Sequence, residues 1–455
     1  MQIDSGNTAW MLIASGLVLL MTPGLGFFYG GLTRSKNVLG TIMQSFISIS
    51  VVGLLWVVVG YSLAFGPDHM GVIGDLSWFG LKHVGGAPGG PNGAFYGVGV
   101  PHVVFMAFQM MFAIITPALI TGAFAERAKF GPFLVFTALW SLLVYVPIAH
   151  WVFAYDGWLS AFSSDPNHVH AGVRALDFAG GIAIHVSAGA AALASVFVFG
   201  RRKGYGETPM EPHDITMVIL GAALLWFGWF GFNAGSAGGA NAQAAYAFVN
   251  TAVSGAAAAL VWTILGWRQS GSPSTLGATA GAVAGLAAIT PASGYVEPME
   301  AIVIGLVSGA LCFYAVHYRA KIGFDDSLDV VGVHGVGGAW GSLAAGLFAT
   351  AAVSGMPFAN GLFHGHAAQV WDQAVAIGVV GAYSFAATFA ILKVLDLVVG
   401  IRVSEAEEEL GLDITQHGER AYTSDESGVP LTPGAVLPAP PVTYTAAVNA
   451  TGKAG

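Results

Sequence analysis

Charge is scarce in this chain. Asp, Glu, Lys and Arg make up 9% of its 455 residues, against roughly 25% in a soluble domain. With 55% hydrophobic residues and a mean hydropathy of +0.69, the composition excludes an ordinary water-exposed globule and indicates a polytopic membrane protein. Cysteine is almost absent: Cys312 stands alone inside an apolar run, which excludes an intrachain disulfide and any cysteine-built metal site and leaves packing as its role. A basic surplus is lacking as well. The net charge is −9, with much of the acid in the tail at Glu405-Ala-Glu-Glu-Glu409, so nucleic acid is excluded as a partner. The first apolar run has no basic segment before it and continues through Gly24-Leu-Gly-Phe-Phe-Tyr-Gly-Gly31 to Arg34, so it reads as a retained span rather than a signal peptide.

What the chain does have is long apolar runs, and about 20 residues suffice for a helix to cross the hydrocarbon. Eleven such runs are read, near 8–32, 38–65, 98–124, 130–152, 177–200, 214–233, 241–268, 273–291, 297–319, 330–353 and 372–400. Glycine (64 residues) and alanine crowd them, which lets helices approach closely in a tight bundle. Loops on one side carry Arg34, Lys36, Arg127, Lys129, Arg201, Arg202, Lys203, Arg268, Arg319, Lys321 and Arg402, eleven of the sixteen Lys and Arg residues, whereas the other side holds Lys82 and Arg174. The positive-inside rule then sets the amino terminus outside and the carboxy terminus in the cytoplasm. The expected fold is an all-α polytopic membrane protein of eleven transmembrane helices, two five-helix repeats plus one C-terminal helix. Five spans per repeat force the halves into inverted orientation, an architecture that places a site near the midplane. Residues 1–400 form the transmembrane domain, 401–422 a cytoplasmic regulatory tail, and 423–455, rich in Pro and without apolar periodicity, a disordered extension. The loop 66–97, with Gly85-Gly-Ala-Pro-Gly-Gly-Pro-Asn-Gly93, has too many breakers for regular structure and is expected to be an exposed external loop.

Two histidines stand inside apolar runs, each eight residues after an aspartate: Asp177 to His185, and Asp326 to His334. An ionisable group at membrane depth is costly and faces a partner or a pathway. An isolated one is more often a hydrogen-bonded structural residue; two in matching contexts, one in each half, point to a conducted polar or protonatable solute. Two neutral rings sharing a proton still offer nitrogens to a lumen. Asp177 reads as a helix N-cap, as negative charge near an external mouth, or as both. Capping is the favoured reading for Asp326 and Asp329. Phe108 and Phe112 share a helix face, and Trp226-Phe-Gly-Trp229-Phe-Gly-Phe232 runs up to Ser236. Such stripes are usually packing or interfacial belts. Aromatic faces beside a hydroxyl can also hold a partly dehydrated cation, at roughly 0.5–2 kcal/mol per contact. His364 and His366, in a Gly-rich loop, read as surface histidines.

Several long segments in order resemble the signature motifs of the ammonium transporter (Amt/Mep/Rh) family. They are Asp177-Phe-Ala-Gly-Gly-Ile-Ala-Ile-His185, Trp229-Phe-Gly-Phe-Asn-Ala-Gly-Ser-Ala237 and Asp325-Asp-Ser-Leu-Asp-Val-Val-Gly-Val-His-Gly-Val-Gly-Gly338, supported by Gly24 to Gly31, Ala125-Glu-Arg127, Pro147-Ile-Ala-His150 and Thr290-Pro-Ala-Ser-Gly-Tyr295. The resemblance runs from residue 8 to about 422. It implies a homotrimer in the plasma (inner) membrane with a pore through each protomer and no cofactor. Phe112 and Phe232 would form a phenyl gate, with Phe108, Trp229 and Ser236 around an external ammonium site. His185 and His334 would be the twin-histidine pair, Asp177 the supporting carboxylate, and Thr290 a further position near the pore. Where many members have tryptophan after Ala-His-x-Val, this chain has Phe153, a poorer cation–π face, so external affinity is expected to be weaker unless Trp151 or Trp158 compensates. The stretch Glu405–Tyr422 resembles the family's tail, implying contact with a cytoplasmic PII-type regulator; the bland alternative is a solvated acidic helix.

The resemblance implies an ammonium/ammonia transporter rather than an enzyme. Ammonium and potassium are alike in charge and size, yet only ammonium can shed a proton and cross uncharged. A charge costs at least ~2.5–3.5 kcal/mol at the bilayer centre. Three alternatives share the same residues: an ammonium sensor signalling through the tail, a membrane redox enzyme with histidine-ligated haem or metal, and a pore for carbon dioxide or another gas.

Overall fold

In a computed structural model the structure describes residues 2–89, 99–161 and 172–422. The apolar runs form helices because a segment in hydrocarbon must satisfy its own backbone. They are α1 (Ser5–Leu32), α2 (Val38–Phe65), α3 (His102–Phe124), α4 (Phe130–Phe153), α5 (Gly181–Phe199), α6 (Ile215–Gly235), α7 (Ala242–Ser270), α8 (Thr275–Ile289), α9 (Pro298–Lys321), α10 (Val331–Gly335 continuing as Val336–Phe348) and α11 (Ala368–Val399). Among the described residues nine of these are long and apolar enough to cross a membrane, α8 and the two-part α10 being the shorter apolar members. Polar side chains start several of them: Asp4, Asp214, Asn241 and Ser274 each accept the amide three residues on, at the heads of α1, α6, α7 and α8. α10 stops at Phe348, short of the expected 353. Ala349 leaves helical geometry there, and Thr350 caps a separate single turn, Ala351–Ser354.

Helix α1 lies along α6, α5 packs on α10 and α11, and α7 on α8 and α9. Among the described residues four stretches are wound wider than an α-helix: Trp56–Gly60, Ser141–Tyr145, Gly181–Val186 and Val331–Gly335. The last two open α5 and α10 and carry His185 and His334; such turns recur at functional sites.

One end of the bundle collects the basic loops. Glu126 Oε1 accepts from the Arg34 and Asn37 side chains, and Arg202 Nη1 donates to Glu126 Oε2 at 2.9 Å and Nη2 to Asp325 Oδ1 at 2.8 Å. The buried Arg127 donates to the Ala123 and Asp325 carbonyls. The tail helices α12 (Glu405–Leu410) and α13 (Leu412–His417) dock on this cluster. Glu408 accepts from Arg402 and from the Lys203 amide, Asp413 from the Gly40 amide, and Asn37 from the Leu412 amide. Residues 423–455, read as disordered, lie outside the described residues.

At the opposite end the loop after α2 is more ordered than its breakers suggest. Asp68–His69 (β1) pairs antiparallel with Ile73–Gly74 (β2), and Trp78 is buried against Tyr61 and His102. Part of the Gly/Pro-rich stretch, 90–98, lies outside the described residues.

Candidate functional site

His185 and His334 sit in the wide first turns of α5 and α10, each eight residues after an aspartate. Asp177 sits just ahead of α5, where Gly180 takes φ 108°. Its carboxylate accepts four amides, from Gly180 (3.0 Å), Gly181 (2.6 Å), Ile182 (2.9 Å) and Ala183 (2.9 Å). It is 2% exposed, its charge buried under the amides it accepts. Asp326 plays the corresponding part for α10, accepting the Val331 amide at 2.7 Å. Asp329 pairs with Arg319 instead of capping through its side chain.

Glycine four residues beyond each histidine lets α5 and α10 cross closely. A Cβ on Gly189 would lie 2.3 Å from the Gly335 Cα, and one on Gly338 would lie 2.7 Å from the His185 Cβ. At that crossing the two imidazoles lie nearly parallel (13°), with Nδ1 to Nδ1 at 3.1 Å. One nitrogen must donate and the other accept, so the outer nitrogens of the neutral pair are one acceptor and one donor. Nε2 of His185 is buried and has no partner among the described residues.

Aromatic rings seal one side of this pair. Phe112 and Phe232 touch at 4.5 Å between centroids, and Phe108 meets Phe112 edge-on at 4.8 Å. Trp229 stacks on His185 at 5.6 Å while its indole N–H donates to the Thr290 hydroxyl at 2.9 Å. Ser236 ends α6, half-exposed, its hydroxyl donating to the Phe232 carbonyl. On the other side a cavity of about 610 Å³ reaches from His185, His334 and Phe232 past Tyr29 and Leu119 to Trp262, Gln269 and Phe313 near the basic end. The elements run in series: an aromatic and hydroxyl patch, a phenyl contact, paired imidazoles, then an apolar cavity toward the basic end.

Of the residues expected from sequence, Phe108, Phe112, Trp229, Phe232, His185, His334 and Thr290 form one contiguous group, and Ser236 borders it. Phe153, at the last turn of α4, is half-buried and joins no ring pair of this group among the described residues. Trp151 and Trp158 pack on each other at 5.7 Å, and Trp151 also meets Tyr383 at 4.8 Å. Sequence reasoning missed Tyr29, Leu119, Trp262 and Phe313 of the cavity. They sit on ordinary apolar faces, and nothing in their local pattern separates lumen from core.

Comparison with known proteins follows the same outline. The profile described as Ammonium Transporter Family matches residues 9–422. A Bacillus subtilis protein described as an ammonium transporter is 48% identical over 421 residues, covering 92% of this chain and 99% of that one. The crystal structure of Candida albicans Mep2 superposes with a TM-score of 0.81 at 37% identity, covering 89% of this chain and 88% of that chain. A solved chain described as a sensor Amt protein gives a TM-score of 0.79 at 29% identity, covering 90% and 98%.

Proposed function

This chain belongs to the ammonium transporter family and is a membrane transporter of ammonium or ammonia rather than an enzyme; from that premise we propose that its residues deprotonate the cation and conduct ammonia. Ammonium is recruited outside the phenyl gate against Phe108, Trp229 and Ser236, with Phe153 contributing the outer wall. The Phe112–Phe232 contact leaves no gap, so passage requires a ring to swing. The proton is lost at or above the imidazole pair, whose geometry is held by Asp177 through α5. Ammonia, which both donates and accepts, is then passed along His185 and His334 into the cavity. Potassium has no proton to lose and meets the full cost of a dehydrated charge, at least ~2.5–3.5 kcal/mol.

The observation that carries this reading is the Nδ1 to Nδ1 contact at 3.1 Å with an orphaned Nε2 beside it. The test is labelled methylammonium uptake and charge movement in proteoliposomes for His185→Ala, His334→Ala and Asp177→Asn. Loss of discrimination against potassium is expected in the histidine variants; unchanged selectivity sinks the proton-loss step. The sensing alternative has one specific support, the likeness to the sensor Amt protein. Wild-type flux at transporter rates rejects sensing as the sole role.

Several wider readings belong to the same proposal. α8 and α10 complete eleven spans, and residues 1–400 form two inverted five-helix repeats plus α11. Support comes from matched packing across a pseudo-twofold: α1 meets α6 as α5 meets α10, and α2 with α3 corresponds to α7 with α8. The basic end is cytoplasmic and the amino terminus external, in the plasma (inner) membrane. Three copies assemble, and the tail 401–422 presents the cytoplasmic face to a PII-type protein, with 423–455 as a disordered extension. Chemical crosslinking tests the trimer, and a pull-down with and without residues 401–455 tests the partner.

A further inference from the structure

His150 lies at the external end of α4, three residues before Phe153, and its side chain is fully buried. Its Nδ1 is 2.9 Å from the Ala64 carbonyl oxygen at the end of α2, and its Nε2 is 2.9 Å from Asp68 Oδ1 on β1. Two hydrogen bonds need two protons. A carbonyl brings none and an ionised carboxylate brings none, whereas a neutral imidazole has only one N–H. The three groups therefore hold one proton more than a neutral histidine beside a carboxylate.

The contact joins two parts of the external surface. Asp68 also accepts the Gly71 amide at 2.7 Å, which closes the β1–β2 turn. Beyond it the Trp151 indole donates to the Val72 carbonyl at 2.8 Å and the Trp158 amide to the Gly71 carbonyl at 3.3 Å. The hairpin is thus fastened to residues 150–158, the segment that holds Phe153. Titratable groups on the packed elements are Tyr61 on α2, Asp68, His69 and Asp75 around the hairpin, Tyr145 on α4, Asp177 and His185 at the head of α5, Tyr383 on α11, and Tyr155 and Asp156 in the loop that follows α4. Among the described residues Asp68 alone is within ion-pair distance of His150.

We propose that His150 and Asp68 form a proton-dependent clamp that positions the hairpin and, through it, the Phe153 wall of the external ammonium site. His150 is a positioning residue: it touches no solute. With the extra proton in place both acceptors are satisfied. When high external pH removes it, two acceptors share one N–H, one contact turns repulsive, and the hairpin loosens. The step from hairpin to ammonium affinity rests on the reading of Phe153 given above; the clamp itself does not.

The test is hydrogen-exchange protection of residues 66–76 in the full chain in lipid, alongside the KM for methylammonium counted as its cation. In the wild type, protection is expected to fall about tenfold as external pH is raised, the loss of one hydrogen bond to a charged group, with KM rising in parallel. His150→Gln is expected to be loose at every pH. Asp68→Asn can donate to an unprotonated Nε2, so it keeps the contact with one proton fewer and flattens the profile. Protection that is independent of pH in the wild type, or untouched by His150→Gln, overturns the clamp. A Phe153→Ala protein with unaltered KM would overturn only the reading of Phe153, since exchange reports the clamp separately.

Discussion

At the scale of single residues, the two histidines were legible before any coordinates, because an ionisable ring in an apolar run calls for a reason. Their mutual orientation was not: equal offsets from Asp177 and Asp326 say nothing about which ring nitrogens meet. The role of Asp177 was legible as a cap, a mouth charge, or both together. Four amides on one carboxylate establish the cap. An amide in its place keeps one acceptor oxygen and turns an NH2 toward N–H groups, leaving buried donors unpaired. Asp177→Asn is therefore expected to destabilise the protein by about 2–4 kcal/mol, seen as a lower melting temperature in detergent and faster exchange of the Gly180–Ala183 amides. A variant that melts like the wild type would show that the carboxylate does not hold the head of α5.

At the scale of elements, hydropathy located the helices to within a few residues because a lipid-facing or tightly packed segment must be apolar along its whole length. The hairpin at 68–74 escaped notice, since two-residue strands have no periodicity to read. The wider turns at the heads of α5 and α10 escaped too, because winding depends on which amides a cap captures rather than on apolar spacing. The glycines four residues after each histidine are visible in the chain, yet only the helix crossing shows their purpose. Gly338→Ala would bring a methyl to 2.7 Å from the His185 Cβ, so the helices must separate or the ring must turn. Overpacking of this kind costs about 1–3 kcal/mol, and methylammonium flux should fall well beyond what that loss of stability explains. Gly131→Ala, where no atom lies within 4 Å of the added carbon, is the matched control and should transport normally. Equal flux in both would separate the imidazole contact from conduction.

At the scale of the whole molecule, the parity of basic loops was enough to gather them at one end, but their partners were not readable, because long charged side chains carry no register. The structure joins them through Glu126. Burial opposes its charge, but Arg202 and Arg34 outweigh that and hold its carboxyl down at about 2. Asp325 is likewise held below its usual range, as Arg202 and Arg127 prevail over burial. A carboxylate with a depressed folded value contributes stability that is fully present above its unfolded value and is lost as pH falls toward the folded one. The melting temperature is thus expected to hold between about pH 7 and about pH 5 and to fall steeply below about pH 4, as Glu126 takes up a proton in the unfolded chain first. Glu126→Gln leaves Arg34 and Arg202 without their shared buried partner, a loss of about 3–5 kcal/mol, and should flatten the acid limb. Asn37 links Glu126 to the Leu412 amide, so the same variant should release the tail and speed proteolysis beyond Gly411. If the acid limb keeps its slope while the tail is released, Glu126 docks the tail without carrying the pH dependence; if the tail stays protected, the docking rests on contacts independent of Glu126, such as those of Glu408, Asp413 and Lys36.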